Sequence, residues 1–180
     1  WGGNVKRELW DAYDLEGRPL GFDLVRGEPI PEGVRHLVVE VFSVTVDGRV
    51  LVTKRHPDKP WGGLWEYTGG SVLKGETPLE GAVRELREET GIAVSREELR
   101  PVYITPGQAP AIYHCFLTFF DAGEQAVRLQ EGETVDYRLI PYGAFQAFVQ
   151  GDEFVDSIRR RFLDHQALFD RLIAEHFEKK

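Results

Sequence analysis

The 180-residue sequence predicts an α/β fold, and three observations support this prediction. Segments rich in β-branched residues alternate with a well-bounded amphipathic helix in mid-chain and with helical periodicity at the end. Hydrophobic residues make up 42% of the chain and charged residues 29%, which is enough apolar material for one buried core. Neither an internal repeat nor a flexible linker is evident, so residues 1–180 are interpreted as a single domain.

The first third of the chain predicts an irregular start followed by two strands. Residues 1–34 scatter apolar side chains among glycines and prolines, which predicts an irregular N-terminal segment or a short hairpin. Residues 35–46 are dense in β-branched side chains and predict a mostly buried strand. The Asp47-Gly48 pair is a strong hairpin-turn signal, so residues 50–54 are expected to return as a second strand.

The middle of the chain predicts a loop, a short strand and a second loop. Residues 55–63 contain the prolines and glycines of a loop, and residues 64–68 predict a short strand. Residues 69–76 contain three more glycines and are interpreted as a loop that leads into a helix.

The central helix has clear signals at both ends. Thr77 is a good N-cap, Pro78 suits the first helical position, and Glu80 is placed to complete a capping box. The helix is expected to end near Thr90, with Gly91 as its C-terminal stop.

Two strands and a helical segment are predicted after the central helix. Residues 111–120 predict an apolar strand in which Cys115 is a buried, unreactive thiol, and residues 135–140 predict another strand. In the C-terminal segment, residues 152–180, large apolar residues recur every three to four positions, which predicts helix with a break near residues 164–166. We expect this segment to cover the sheet. Its many apolar residues also leave open the possibility that it forms a homodimer interface.

Charge and cysteine content exclude several classes of protein. A net charge of −8 and a pI near 5.2 argue against binding to a nucleic-acid polymer, which requires a basic face. No apolar run reaches the roughly 18 residues of a membrane span. The single cysteine excludes an intramolecular disulfide and is compatible with a reducing compartment. We therefore expect a cytoplasmic protein with no membrane or nucleic-acid partner.

Three glutamates share one face of the central helix. Glu85, Glu88 and Glu89 stand at i, i+3 and i+4, where each pair of like charges destabilises a bare helix by about 0.2–0.5 kcal/mol. The ordinary interpretation is a solvated face, partly relieved by Arg84 and Arg87. The alternative is a site for a divalent cation such as Mg²⁺, which prefers carboxylate oxygens, and the glycine-containing loop before the helix favours it.

Residues 70–92 resemble the signature of the Nudix hydrolase superfamily without a gap. That signature is a glycine, five residues, a glutamate, seven residues, and then Arg-Glu-apolar-x-Glu-Glu-x-Gly-apolar. Its nine specified positions are matched by Gly70, Glu76, Arg84, Glu85, Leu86, Glu88, Glu89, Gly91 and Ile92. The resemblance implies a Nudix-type α/β/α sandwich around a mixed β-sheet. It also implies Mg²⁺, with Mn²⁺ as a substitute, and hydrolysis of a phosphoanhydride bond in a small organic diphosphate, a nucleoside diphosphate or a related one.

The resemblance also implies roles for single residues. The implied metal ligands are the Gly70 carbonyl and the carboxylates of Glu85, Glu88 and Glu89. Glu76 resembles the residue that braces Arg84, and Arg84 resembles the residue that orients the ligand glutamates. A guanidinium suits that role because it is planar, always charged and able to bind two carboxylates at once.

The base that activates the attacking water stays open among four glutamates. Glu88 or Glu89 could serve within the signature, whereas many relatives use a glutamate in a later loop. Glu133, which directly precedes a predicted strand, is the candidate for that position, and Glu131 is its neighbouring alternative.

Two cations and two tryptophans lie close to the signature. Arg55 and Lys59 could contact substrate phosphates, and a structural role for each is equally open. Trp61 and Trp65 could stack on a base, although core packing is the favoured interpretation for both.

Two other functions remain as alternatives. The amino-terminal half resembles the first segment of a Nudix branch related to type I isopentenyl-diphosphate isomerase. His36 matches one isomerase histidine, but Gly69 and Ser71 stand where the isomerases need a catalytic cysteine and a further histidine. The other alternative is a non-catalytic sensor of a nucleotide or sugar diphosphate, which the intact signature disfavours.

Overall fold

An N-terminal hairpin precedes the main sheet. The computed structural model describes residues 7–179, so the first six residues and Lys180 of the predicted terminal segments lie outside the described residues. Strands β1 (Leu9–Tyr13) and β2 (Pro19–Val25) pair in antiparallel fashion, so a short hairpin forms within the N-terminal segment.

The main sheet is mixed. Its strands are β3 (His36–Thr45), β4 (Arg49–Arg55), β5 (Trp65–Glu66), β6 (Thr68–Ser71), β7 (Arg100–Pro106), β8 (Ala111–Phe120) and β9 (Thr134–Pro141). β3 runs parallel to β8 and antiparallel to β4 and β6. β9 and β5 pair with β4, and β7 pairs with β8, all in antiparallel fashion. The predicted mixed sheet is confirmed.

β3 and β4 diverge, and two short strands occupy the opening between them. The two long strands pair at Val44 and Val50, next to their hairpin turn. Farther along, β5 pairs with β4 and β6 pairs with β3. The single strand predicted over residues 64–68 is therefore wrong, because the chain changes partner strand at Tyr67. Gly69 and Gly70, predicted in a loop, lie in β6.

Helices cover both faces of the sheet. They are α1 (Pro78–Thr90), α2 (Tyr142–Phe148), α3 (Asp156–Asp164) and α4 (Gln166–Glu178). Val39 of β3 packs with Leu86 of α1 on one face, whereas Phe42 packs with Phe162 and Phe169 of the C-terminal helices on the other. This is the predicted α/β/α sandwich, and the predicted break between the last two helices lies at His165. Between residues 7 and 179, no helix has the length and apolar character needed to cross a membrane.

The predicted residues cap both ends of α1, but in residues 7–179 the Thr77 N–H does not donate to the Glu80 side chain, so the predicted capping box is incomplete. The Thr77 hydroxyl accepts a hydrogen bond from the Glu80 N–H at 3.2 Å, and Pro78 occupies the first turn. Gly91 ends the helix with a φ of 75°, a left-handed conformation that costs glycine little, and its N–H donates to the Arg87 carbonyl.

A buried ion pair joins α3 to the sheet on the face opposite α1. Arg161 donates from Nε and Nη2 to the two oxygens of Glu40, at 2.9 and 3.0 Å, and the Tyr103 hydroxyl donates to Glu40 at 2.7 Å. These donors offset the cost of burying the Glu40 carboxylate. Cys115 is buried on this face, and burial raises the pKa of its thiol, as expected for an unreactive cysteine.

Acidification is expected to destabilise the protein through His36. Its ring is buried and stacks on Trp10 at a centroid distance of 4.0 Å, and burial lowers its pKa to about 4, with Glu8 opposing the shift. In the unfolded chain the pKa is about 6.5, so the unfolded state binds more protons between pH 4 and 6.5. The free energy of unfolding should therefore fall by about 2–3 kcal/mol as the pH drops through this window.

Urea unfolding at pH 7.5 and pH 4.5 tests this expectation. The variant His36→Gln carries no titratable group at this position, so it should lose less stability between the two pH values than the wild type. Equal losses in both proteins would contradict the role of His36.

Candidate active site

Arg84 connects α1 to the strand and the loop that precede it. Its Nε and Nη2 donate to the two oxygens of Glu76 at 2.7 and 2.9 Å, and Nη2 also donates to the Ser71 carbonyl at 3.0 Å. Its Nη1 donates to Glu85 at 2.9 Å and to Glu88 at 3.2 Å. One guanidinium thus sets the relative position of three glutamates of the signature.

Glu76 is held ionised beside this guanidinium. Burial raises the pKa of Glu76, but hydrogen bonds from Arg84 and from the Leu73 N–H outweigh it, so the net shift is downward. The carboxylate is therefore ionised at neutral pH, where it keeps its two contacts to Arg84.

Glu85 fills the space in which residue 70 would carry a side chain. An ideal Cβ built on Gly70 would lie closer than 3.0 Å to the Glu85 carboxyl carbon and to both carboxyl oxygens. Gly70 is therefore needed because the carboxylate approaches the backbone of β6 directly.

The variant Gly70→Ala should displace the Glu85 carboxylate and weaken Mn²⁺ binding by about 10-fold or more. The change is measured by electron paramagnetic resonance of free Mn²⁺, with circular dichroism to verify the fold. Gly143→Ala is the matched control, because a Cβ at Gly143 meets nothing within 4 Å. Similar Mn²⁺ affinities in the two variants would contradict the assignment of Glu85 as a metal ligand.

Backbone register decides which carbonyls of β6 face away from β3. The Val72 N–H donates to a carbonyl of β3 at 2.9 Å, and in an antiparallel pair each residue directs its N–H and C=O to the same side. Gly70 stands two positions earlier, so its carbonyl points toward β3 as well. The carbonyls of Gly69 and Ser71 point to the open side, where the Ser71 oxygen accepts from Arg84.

Glu89 lies buried among like charges at the end of α1. It is 7% exposed, and within residues 7–179 its Oε2 has no hydrogen-bond partner. Burial, and then the carboxylates of Glu66 and Glu85, raise the pKa of Glu89 well above its usual range. A buried carboxylate oxygen without a donor is costly, and a hard divalent cation would satisfy it. The chemistry of this oxygen donor therefore fits Mg²⁺ or Mn²⁺.

Arg55 pairs with Glu66, one of the carboxylates near Glu89. It directly precedes the site loop, which comprises residues 56–63. Its Nη1 donates to both oxygens of Glu66 at 3.0 and 2.9 Å, and its Nε donates to the Pro60 carbonyl at 2.7 Å. Burial raises the pKa of Glu66, and Arg55 opposes that rise. Arg55, a predicted phosphate contact, thus has both of these donor groups engaged within the protein.

Lys59 of the site loop lies against Glu133. The Lys59 ammonium contacts the Glu133 carboxylate, and the His56 N–H donates to the Glu133 carbonyl at 3.0 Å. Burial and the nearby Arg55 lower the pKa of Lys59, whereas Glu89 and Glu66 oppose the shift. The structure therefore brings two predicted site residues into direct contact.

The family-level comparison agrees with this geometry. Residues 34–164 match the model of the NUDIX domain family. The chain belongs to the Nudix family. It is 31% identical over 150 residues to the uncharacterized Nudix hydrolase lmo0368 of Listeria monocytogenes, covering 82% of this chain and 88% of that protein. It is 28% identical to an ADP-ribose pyrophosphatase of Bacillus subtilis, covering 76% and 75% of the two chains.

A solved structure shows a similar fold. DR0079 from Deinococcus radiodurans superposes with a TM-score of 0.69 at 20% identity, covering 86% of this chain and 98% of that chain. The family model and the Listeria relative confirm the predicted membership in the Nudix hydrolases, and the superposition agrees with the predicted fold class.

The glutamates of the Nudix signature are not gathered into one ligand set. Across residues 7–179, no three acidic, histidine or cysteine side chains are already arranged to hold a metal. Arg84 explains this, because its Nη1 binds one oxygen each of Glu85 and Glu88. Glu88 is half-exposed and Glu89 is buried, so the two differ in access to solvent.

Sequence reasoning missed several charged residues near the Nudix site. Glu66 escaped notice, although a charged residue inside an apolar strand was an available signal. The N-terminal hairpin contributes Glu8 and Arg26, which contact each other at 3.2 Å. Burial raises the pKa of Glu85, and the negative charges of Glu88 and Glu8 raise it further, whereas Arg84 lowers it. No signal in the sequence placed this hairpin beside the site.

The two tryptophans near the Nudix signature have different environments. Trp65 is 1% exposed and belongs to the core, as the favoured interpretation expected. Trp61 is 66% exposed, and its φ of 55° is a left-handed conformation that a tryptophan rarely adopts. Core packing is therefore wrong for Trp61, which the site loop holds in solvent.

Proposed function

We propose that this Nudix protein is a divalent-metal-dependent pyrophosphohydrolase that cleaves the phosphoanhydride bond of a nucleoside diphosphate linked to a sugar or similar group. The observation that carries the proposal is the buried Glu89 oxygen without a donor, beside Glu66 and Glu85. Burial disfavours the charged form of this carboxyl group, and a bound divalent cation would stabilise that form. The name of the Bacillus subtilis relative supports ADP-ribose as the first substrate to test.

Glu85, Glu88 and Glu89 would hold the metal, with a backbone carbonyl of β6. We favour the Gly69 carbonyl over the predicted Gly70 carbonyl, because the strand register directs Gly69 away from β3. When bound, Mg²⁺ or Mn²⁺ neutralises charge on the diphosphate and makes a bound water more acidic.

The residues around the metal ligands position those ligands and accept the proton of the attacking water. Arg84 holds the ligand glutamates on one side of α1 through its fork of hydrogen bonds. We assign the proton from the attacking water to the carboxylate of Glu133, which is about two-fifths exposed and is within reach of solvent. Glu131 is exposed in the same turn and is the alternative acceptor. Lys59 would contact the substrate phosphates.

A hydrolysis screen over about a hundred phosphorylated metabolites, with Mg²⁺ and with Mn²⁺, tests the function. With ADP-ribose and water we expect AMP and ribose 5-phosphate, detected by chromatography. Omission of the metal should stop the reaction. If no diphosphate is hydrolysed but some bind, the non-catalytic sensor replaces the hydrolase.

The isomerase-like alternative has less support. An isomerase of this kind needs a cysteine at the site, and the sequence has a single cysteine. Cys115 is buried with Phe42 and Leu117 on the face of the sheet opposite α1. His36, the matching histidine, is buried against Trp10.

The remaining expectations concern the whole protein. Most of the large apolar residues of the C-terminal helices are buried against the sheet, including Phe162 and Phe169, so they no longer argue for a homodimer. The interpretation of residues 1–180 as one domain and a cytoplasmic location stay predictions.

A further inference from the structure

The backbone of the site loop holds Lys59 in a defined place. The Lys59 N–H donates to the His56 carbonyl at 3.0 Å, and the Lys59 carbonyl accepts from the Gly62 N–H at 2.9 Å. Arg55 ties the loop to β5 through Glu66, and His56 ties it to the residue before β9. The lysine stem is thus anchored at its base, and its ammonium is the part free to move.

The ammonium of Lys59 interacts with three carboxylates, of which Glu66 is also bound by Arg55 and Glu89 has one oxygen without a hydrogen-bond partner in residues 7–179. It contacts Glu133 directly, and it attracts Glu89 and Glu66 electrostatically. The Lys59 side chain is 24% exposed, so solvent screens these attractions only partly.

Two other cations near the ligand glutamates, Arg84 and Arg55, are already engaged. Arg84 is bound to Glu76, Glu85 and Glu88 through all three of its nitrogens, and Arg55 is bound to Glu66. Lys59 differs from them because it is a single point charge on a flexible stem, which can leave one anion for another.

We propose that Lys59 is the built-in counter-cation of the metal-free acidic site, and that it exchanges these carboxylates for a substrate phosphate when a divalent cation arrives. An ammonium and a divalent cation that attract the same carboxylates repel each other, so each weakens the binding of the other. The exchange also leaves the Glu133 carboxylate free to accept a proton. The second half of this proposal rests on the proposed function, whereas the first half needs only the metal site.

Metal affinity without substrate tests the first half. The variant Lys59→Met should bind Mn²⁺ about 5- to 10-fold more tightly than the wild type, because a competing positive charge is lost. Lys59→Arg keeps the charge and should bind Mn²⁺ with wild-type affinity. Free Mn²⁺ is measured by electron paramagnetic resonance at pH 7.5.

Lys54→Met is the matched control. Lys54 precedes Arg55 on β4, and its ammonium lies 5.9 Å from the ring of the core residue Trp65. Its loss should leave the Mn²⁺ affinity unchanged. Equal or weaker Mn²⁺ binding in Lys59→Met, or the same gain in Lys54→Met, would overturn the counter-cation role.

Thermal melts provide a second measurement that does not depend on activity. Lys59→Met should melt at a lower temperature than the wild type in EDTA, and it should gain more from saturating Mn²⁺. If Mn²⁺ raises the melting temperature of Lys59→Met and of the wild type by the same amount, the result would argue against the proposal.

Binding of α,β-methylene-ADP in saturating Mn²⁺ tests the second half. Calorimetry should show about 10-fold weaker binding to Lys59→Met than to the wild type or to Lys54→Met. Unchanged binding would overturn the exchange to phosphate. A gain in Mn²⁺ affinity in a protein that hydrolyses no diphosphate would uphold the counter-cation and reject the proposed function.

Discussion

Replacing Glu89 by glutamine is expected to lower kcat by about 10³-fold or more while leaving the protein folded. Glutamine keeps the shape of the side chain but removes a charged metal ligand, and metal stabilisation of developing charge is worth several kcal/mol. Burial and two neighbouring carboxylates raise the pKa of Glu89 and so disfavour its charged form, which means that a neutral glutamine should not destabilise the metal-free state. The melting temperature in EDTA should therefore rise or stay constant.

The experiment compares kcat at saturating Mg²⁺ with thermal melts in EDTA. Glu80→Gln is the control, because Glu80 is exposed in the first turn of the same helix and lies outside the cluster of ligand glutamates. Glu88→Gln should also lose several orders of magnitude in kcat. Near-wild-type turnover in both Glu88→Gln and Glu89→Gln would contradict the assignment of the metal site.

Replacing Arg84 by lysine is expected to lower both stability and activity. A lysine ammonium cannot reproduce the fork that binds Glu76, Glu85 and the Ser71 carbonyl together. The side chains of Glu76 and Glu85 are 18% and 15% exposed, so they would lose donors in a poorly solvated place. We expect the free energy of unfolding to fall by about 2–4 kcal/mol and kcat/KM to fall by about 10²-fold.

Urea unfolding in EDTA and steady-state kinetics measure the two effects. Arg87→Lys is the matched control, since Arg87 is an exposed arginine in the next turn of α1. A loss of stability in Arg87→Lys equal to that in Arg84→Lys would show that helix propensity, not the fork, explains the result.

Much of α1 could be predicted because its signals are local. Thr77, Pro78 and Gly91 set the ends of the helix through contacts within a few residues, and helical spacing places Leu86 on the buried face. The same spacing brings the signature glutamates to neighbouring turns. Both the helix and the family resemblance could therefore be predicted from residues close together in the sequence.

The short strands before α1 could not be predicted correctly, because their bounds depend on distant partners. β5 and β6 are separate strands since β4 and β3 diverge after Val44 and Val50. The direction of the Gly69 and Gly70 carbonyls follows from the same register, which no pattern in residues 64–71 reveals.

By itself, the sequence determined the α/β class and the position of α1, and it predicts which glutamates would hold a metal. The tertiary structure decided what surrounds those glutamates. Glu66 and Lys59 act on Glu89 electrostatically because β4, β5 and the site loop bring them near it. Lys59 contacts Glu133 across more than seventy residues of sequence. Burial and charge pairing of this kind arise from contacts between distant segments, whereas helix ends and side-chain spacing arise from neighbours along the chain.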